Sequence, residues 1–178
     1  MQYRVFPTII AVISLCLVFP ALSCKQQDEP EYELDPTVIA SAITVGYTDG
    51  QTIEVNIDDP LFKEISDESL SLVHSSHVAV KTIVTNQELS EIKLRGEYVQ
   101  LSFDPSIDIE TSIDTGEGYA VFENTSYVVI MLDDPIDDID QPYICNTDVA
   151  EFDSVMGWRI HKSNQSFSKL ESMIETMR

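Results

Sequence analysis

Five aspartates crowd into the eight residues Asp133-Asp134-Pro135-Ile136-Asp137-Asp138-Ile139-Asp140, directly after an apolar run. Calcium takes roughly six to eight hard oxygens, and a tight carboxylate loop can supply several of them. Asp133, Asp134, Asp137, Asp138 and Asp140 are therefore the candidate ligands, with calcium the one cofactor the sequence suggests. Their spacing lacks both the D-x-D-x-D-G run and the closing Glu of an EF-hand loop. The same residues also read as a solvated acidic loop with no cofactor. His74-Ser75-Ser76-His77 sets two imidazoles three residues apart, without a third metal ligand at a clear spacing. Cys145 follows Tyr143-Ile144, an apolar context in which a thiol acts as a small buried hydrophobe rather than a nucleophile.

Two short motifs resemble catalytic families. Asp114-Thr115-Gly116 resembles the D-T-G of aspartic peptidases, and Val155-Met156-Gly157 resembles the apolar-apolar-Gly element those enzymes carry downstream. That resemblance implies a dimeric hydrolase in which Asp114 activates water between two carboxylates sharing a proton. Glu117 departs from the small residue that normally follows, and a strand-to-strand turn explains Asp114-Thr115-Gly116-Glu117-Gly118 equally well. Ser90-Glu91-Ile92-Lys93 matches the S-x-x-K of penicillin-binding enzymes, but the S-D-N and K-T-G partners are missing from the sequence.

The chain that must position these residues has 178 residues, 31 Asp plus Glu, 10 Lys plus Arg and a formal charge of −21. Such a charge excludes sequence-independent nucleic-acid binding, which needs phosphate-neutralising cations. It also excludes adhesion to anionic lipid through a basic patch. Between Arg95 and Arg159 there are 15 carboxylates and no Lys or Arg in 63 residues. An apolar fraction of 43% is nonetheless enough for a packed core.

Residues 1–23 have the layout of a signal peptide: Arg4, an uncharged run from Val5 to Leu22, then small residues before Cys24. Ala21-Leu22-Ser23-Cys24 resembles the lipobox of bacterial lipoproteins, which implies that Cys24 is lipidated and becomes the first mature residue. The expected localisation is extracytoplasmic, in the cell envelope, with the lipid membrane as partner through Cys24. Plain secretion and a retained N-terminal anchor are the alternatives. Residues 24–36, rich in carboxylates with Pro30 and Pro36, read as a solvated acidic tether.

Residues 37–178 read as a single α+β domain. Val38–Tyr47 and Gln51–Ile57 form a hairpin about Asp49-Gly50. Asp59 caps a helix with Pro60 at its first position, apolar at Phe62, Ile65, Leu72 and Val73 and fading near His74 to His77. Thr85 and Glu88 make a capping box for a second helix, with Lys93 and Arg95 in its last turn and Gly96 closing it. Strand alternation runs from Tyr98 to Ile113, with a bulge or kink at Asp104-Pro105. Tyr127 to Leu132 is the expected central strand, buried on both faces. Tyr143–Asn146 and Val155–Lys162 follow as strands. A last helix turns Phe167, Leu170, Met173, Ile174 and Met177 inward and starts at a cap in Ser163 to Ser166. The expected fold is a largely antiparallel sheet of six to seven strands with two to three helices on one face. Its expected role is non-catalytic: a binding or structural domain with no assigned ligand.

Overall fold

In the computed structural model, which describes residues 38–132, 142–147 and 158–178, the local signals set the element boundaries. The hairpin of β1 (Ala42–Gly46) and β2 (Thr52–Val55) closes through Gly50, whose φ of 80° suits a residue without Cβ. Gly50 N donates to Tyr47 O and Tyr47 N to Gln51 O, each at 2.9 Å. Asp59 Oδ1 accepts from Leu61 N at 2.9 Å and opens α1 (Pro60–His74). The buried stripe of this helix includes Phe62, Ile65, Ser69, Leu72 and Val73.

The Thr85–Glu88 capping box forms in full and starts α2 (Asn86–Lys93). Thr85 Oγ1 accepts from Glu88 N at 3.2 Å, and Glu88 Oε2 accepts from Thr85 N at 2.8 Å. Replacing Thr85 by Ala should cost about 1 kcal/mol, read as a lower urea midpoint at constant slope. The helix ends on Leu94 in ordinary right-handed geometry, not on a left-handed Gly96.

All seven strands pair antiparallel, in the order β2-β1-β4-β5-β6-β7-β3. β4 (Tyr98–Asp114) and β5 (Tyr119–Met131) make a long hairpin, and β6 (Tyr143–Thr147) and β7 (Trp158–Ser163) continue the sheet. β5 is the central strand, as its apolar run requires, with Val128, Val129, Ile130 and Met131 fully buried. The bulge at Asp104-Pro105 is present: four residues of β4 oppose one of β5 between the Ser102–Tyr127 and Ile107–Thr125 pairs. A second irregularity answers it on β5. There Asn124 takes a φ of 51°, and its N–H donates to Asp108 Oδ1 at 2.8 Å.

The fold class is α+β, as the sequence implies, but some details depart from expectation. β3 (Ser76–Val84) is a strand where only a fading helix was expected. The chain leaves α1 through Ser75 alone and enters this edge strand with no Gly or Pro to mark the change. The helices also divide between the two faces. Phe62, Ile65, Leu70, Leu72 and Val73 of α1 and Leu170 and Ile174 of α3 (Ser168–Glu175) pack with Val128 and Ile130. Leu89 and Ile92 of α2 pack on the opposite face with Val129, Met131, Tyr143, Cys145 and Ile160. The face expected to stand bare thus carries a second, smaller core. α3 also begins later than the expected serine cap, with Phe167 at the cap position and no side-chain cap bond. Among the described residues, no helix is long and apolar enough to cross a membrane.

Candidate functional site

Most groups with chemical potential are committed to the fold. The Asp114-Thr115-Gly116 motif lies at the exposed tip of the β4–β5 hairpin. Asp114 Oδ1 accepts from Gly116 N at 2.7 Å, and Thr115 N and Oγ1 both donate to Gly118 O at 2.9 Å. Those bonds are what a tight Asx turn needs, so turn chemistry accounts for the motif. Cys145 is fully buried on β6, and burial pushes its thiol far above the usual range, leaving no thiolate. His74 ends α1 half-buried, its carbonyl accepting from Ser112 Oγ at 2.9 Å, whereas His77 stands exposed on β3. Among the described residues, no group of three or more His, Cys, Asp or Glu is placed to hold a metal.

Cys24, the five aspartates Asp133, Asp134, Asp137, Asp138 and Asp140, and Val155-Met156-Gly157 lie outside the described residues. Trp158 begins β7, paired with Val84.

A buried polar cluster lies where β6 and β7 meet the distal β4–β5 hairpin. His161 Nε2 and Asn146 Oδ1 are 2.8 Å apart, and the Phe122 ring lies 4.3 Å from the imidazole, centroid to centroid. Burial first, and the charge of Arg159 second, depress the His161 pKa to about 4. The imidazole is therefore neutral at neutral pH. It is only 3% exposed and sealed from any substrate.

One cleft does gather open, chemically useful groups. It has a volume of about 200 Å³ and lies between the β1–β2 turn and the C-terminal end of α2. Gly50, Gln51 and Thr52 form one wall, Ser90, Lys93 and Leu94 the other, and Tyr47 and Tyr98 complete the lining. Lys93 Nζ sits 4.5 Å from the centroid of the Tyr98 ring and donates to Gln100 Oε1 at 2.6 Å. Burial lowers the Lys93 pKa, because removing water disfavours the ammonium form. Ser90 Oγ donates to Asn86 O at 2.8 Å, so the S-x-x-K serine is bonded back into its helix rather than to the lysine.

The floor of this cleft depends on Gly46. Tyr98 pairs directly with Gly46 across β4 and β1, and a Cβ built on Gly46 would come within 2.0 Å of Tyr98 Cε1. Only a residue without a side chain lets the ring lie there. Gly46→Ala should therefore displace Tyr98 and destabilise the domain by about 2 kcal/mol, measured by urea unfolding. Tyr47 is held from the other side: its hydroxyl donates to Ile174 O at 3.0 Å, and the Arg178 guanidinium lies 5.0 Å from its ring.

A larger hollow of about 410 Å³ borders Pro142, the 163–168 turn and Glu171. Its polar groups largely serve one another. Ser163 Oγ accepts from Gln165 N at 3.0 Å, and Gln165 Oε1 accepts from Ser71 Oγ at 3.1 Å. Among the described residues its one charged lining group is Glu171, which gives no purchase for an anion.

Comparison with protein-family models, with curated proteins and with solved structures gave no match. The residues of the chain itself carry the functional argument.

Sequence reasoning missed the Lys93 cleft. In the sequence, Lys93 reads as a last-turn cation favourable to the helix dipole and Tyr98 as a strand start. The β1–β2 turn that faces them is remote in sequence and is brought near only by the β1–β4 pairing. The available signal was compositional: Lys93 and Arg95 are the last cations before the long acidic stretch.

Proposed function

We propose that this is an exported protein, anchored to the cell envelope by a lipid on Cys24, whose α+β domain is a non-catalytic binding module with its ligand site at the Lys93 cleft. One observation carries the binding half. In a chain with 31 carboxylates, the half-buried Lys93 ammonium is held by a neutral amide and an aromatic ring, with no ion pair to a carboxylate among the described residues. Uncompensated charge in a cleft is a recurrent mark of a binding site. The non-catalytic half is supported by how the reactive groups are used: Asp114 holds a turn, Ser90 bonds its own helix, and Cys145 and His161 are core residues. The anchor rests on Ala21-Leu22-Ser23-Cys24 and the acidic tether after it.

Metabolic labelling with a radioactive fatty acid tests the anchor. Label should appear on the wild type, fractionating with membranes, and should vanish from Cys24→Ala. An unlabelled wild type would leave a secreted or peptide-anchored protein instead.

A further inference from the structure

The ammonium of Lys93 carries three N–H donors, and one of them is engaged on Gln100 Oε1. The Tyr98 ring attracts the charge but does not neutralise it. Three carboxylates near the cleft have polar partners of their own. Asp49 and Glu97, chain neighbours of Gly50 and Tyr98, lie 3.9 and 3.3 Å from the Arg178 guanidinium. On α2, Glu91 Oε1 accepts from Gln87 Nε2 at 3.0 Å. The cleft thus offers one cation with spare donors while its acidic neighbours are engaged. Leu94, on the same wall, is 68% exposed, the most exposed large apolar side chain among the described residues.

We propose that this cleft binds a small monocarboxylate with an apolar body, its carboxylate on Lys93 Nζ and its body against Leu94. The proposal rests on the reading of the domain as a binding module and gives it a ligand class. A single ammonium balances a single negative charge. A dianion such as phosphate would meet the field of a −21 chain twice over, with one lysine to offset it. A cation would be repelled by Lys93 at the point of entry, and a neutral amide would leave the ammonium uncompensated. The Thr52 side chain lies on the opposite wall, while Ser90 Oγ, Gly50 N and Gln51 N are already bonded to Asn86 O, Tyr47 O and Asp49 Oδ1, so Lys93 is the group that must hold the carboxylate. The small volume, about 200 Å³, restricts the body to a ring or a short branched chain.

The test is a nitrogen-15 NMR titration of the purified protein with benzoate, benzamide and inorganic phosphate, each at matched ionic strength. Benzoate should shift the amides of Gly50, Gln51, Thr52 and Leu94 saturably and bind about tenfold more tightly than benzamide. Lys93→Met should lose that preference, and Lys93→Arg should keep it, with the rest of each spectrum unchanged as proof of folding. Equal binding of benzamide and benzoate would overturn the carboxylate assignment and leave a ligand cleft in place. Tighter binding of phosphate would replace the monocarboxylate by an inorganic oxyanion. No saturable shift with any of the three would remove both this proposal and the cleft as the ligand site.

Discussion

Ile130→Ala should destabilise the domain by about 4 kcal/mol, a larger effect than that of Gly46→Ala or Thr85→Ala. Ile130 is fully buried in the central strand. It pairs with Val99 on one side and Ile144 on the other, both themselves fully buried. The helices α1 and α3 close over the same face, so the surroundings relax only partly into the space. The removed atoms forfeit their transfer free energy, and the cavity left in a close-packed interior adds its own cost. Val121 gives the matched control. It lies on the same strand but is 43% exposed on the distal hairpin, and Val121→Ala should stay within about 0.5 kcal/mol of wild type. The two are compared by urea unfolding, with the midpoint moving and the slope constant. Equal shifts for both variants would mean that β5 is not the centre of the core.

Acidification should weaken the fold well before most carboxylates titrate, and His161 is the main cause. Its pKa is about 4 in the folded protein and near 6.5 when unfolded. Between those values the unfolded chain holds a proton that the native imidazole refuses, so stability falls as pH falls. Above pH 6.5 there is no such penalty, and below about pH 4 it is complete. From about pH 7 to about pH 5 the expected loss is about 2 kcal/mol, approaching about 3 kcal/mol at the acid limit. His74 acts in the same direction, since burial lowers its pKa too. His161→Gln should remove most of the slope while keeping a donor for Asn146 Oδ1. Denaturant melts at pH 7 and pH 5 give the comparison, and an unchanged slope in that variant would assign the effect elsewhere.

What was legible in the sequence was local. Asp49-Gly50 marks a turn, Asp59-Pro60 a helix start and Thr85 with Glu88 a capping box, because each signal satisfies backbone groups within a few residues of itself. The Tyr127–Leu132 run announces a two-sided strand by lacking a polar face. β3 was not legible in this way. Ser76 to Val84 follows α1 without a breaker, and its alternation is disturbed by register shifts after Ser76 and after Val80. Which face α2 covers was hidden as well, since Leu89 and Ile92 make it amphipathic without saying toward what. The Lys93 cleft needed the β1–β4 register before Gly46 and Tyr98 could be seen to touch. Lipidation at Cys24 and calcium at Asp133 to Asp140 rest on residues beyond those described.

The strand order also constrains the sequence of folding events. β1 pairs with β2 a few residues away, a short loop to close, and with β4 further along the chain. Among the described residues β3 pairs only with β7, and Ser76 meets Ser163, 87 residues further along the chain. Such long-range pairings close large loops and fold slowly. In a chain emerging from its N-terminus, β3 is made early and partnered last, leaving an extended, valine-containing edge open until β7 arrives. A chain kept unfolded until β7 is available avoids that exposure, a condition that export in an extended state would meet.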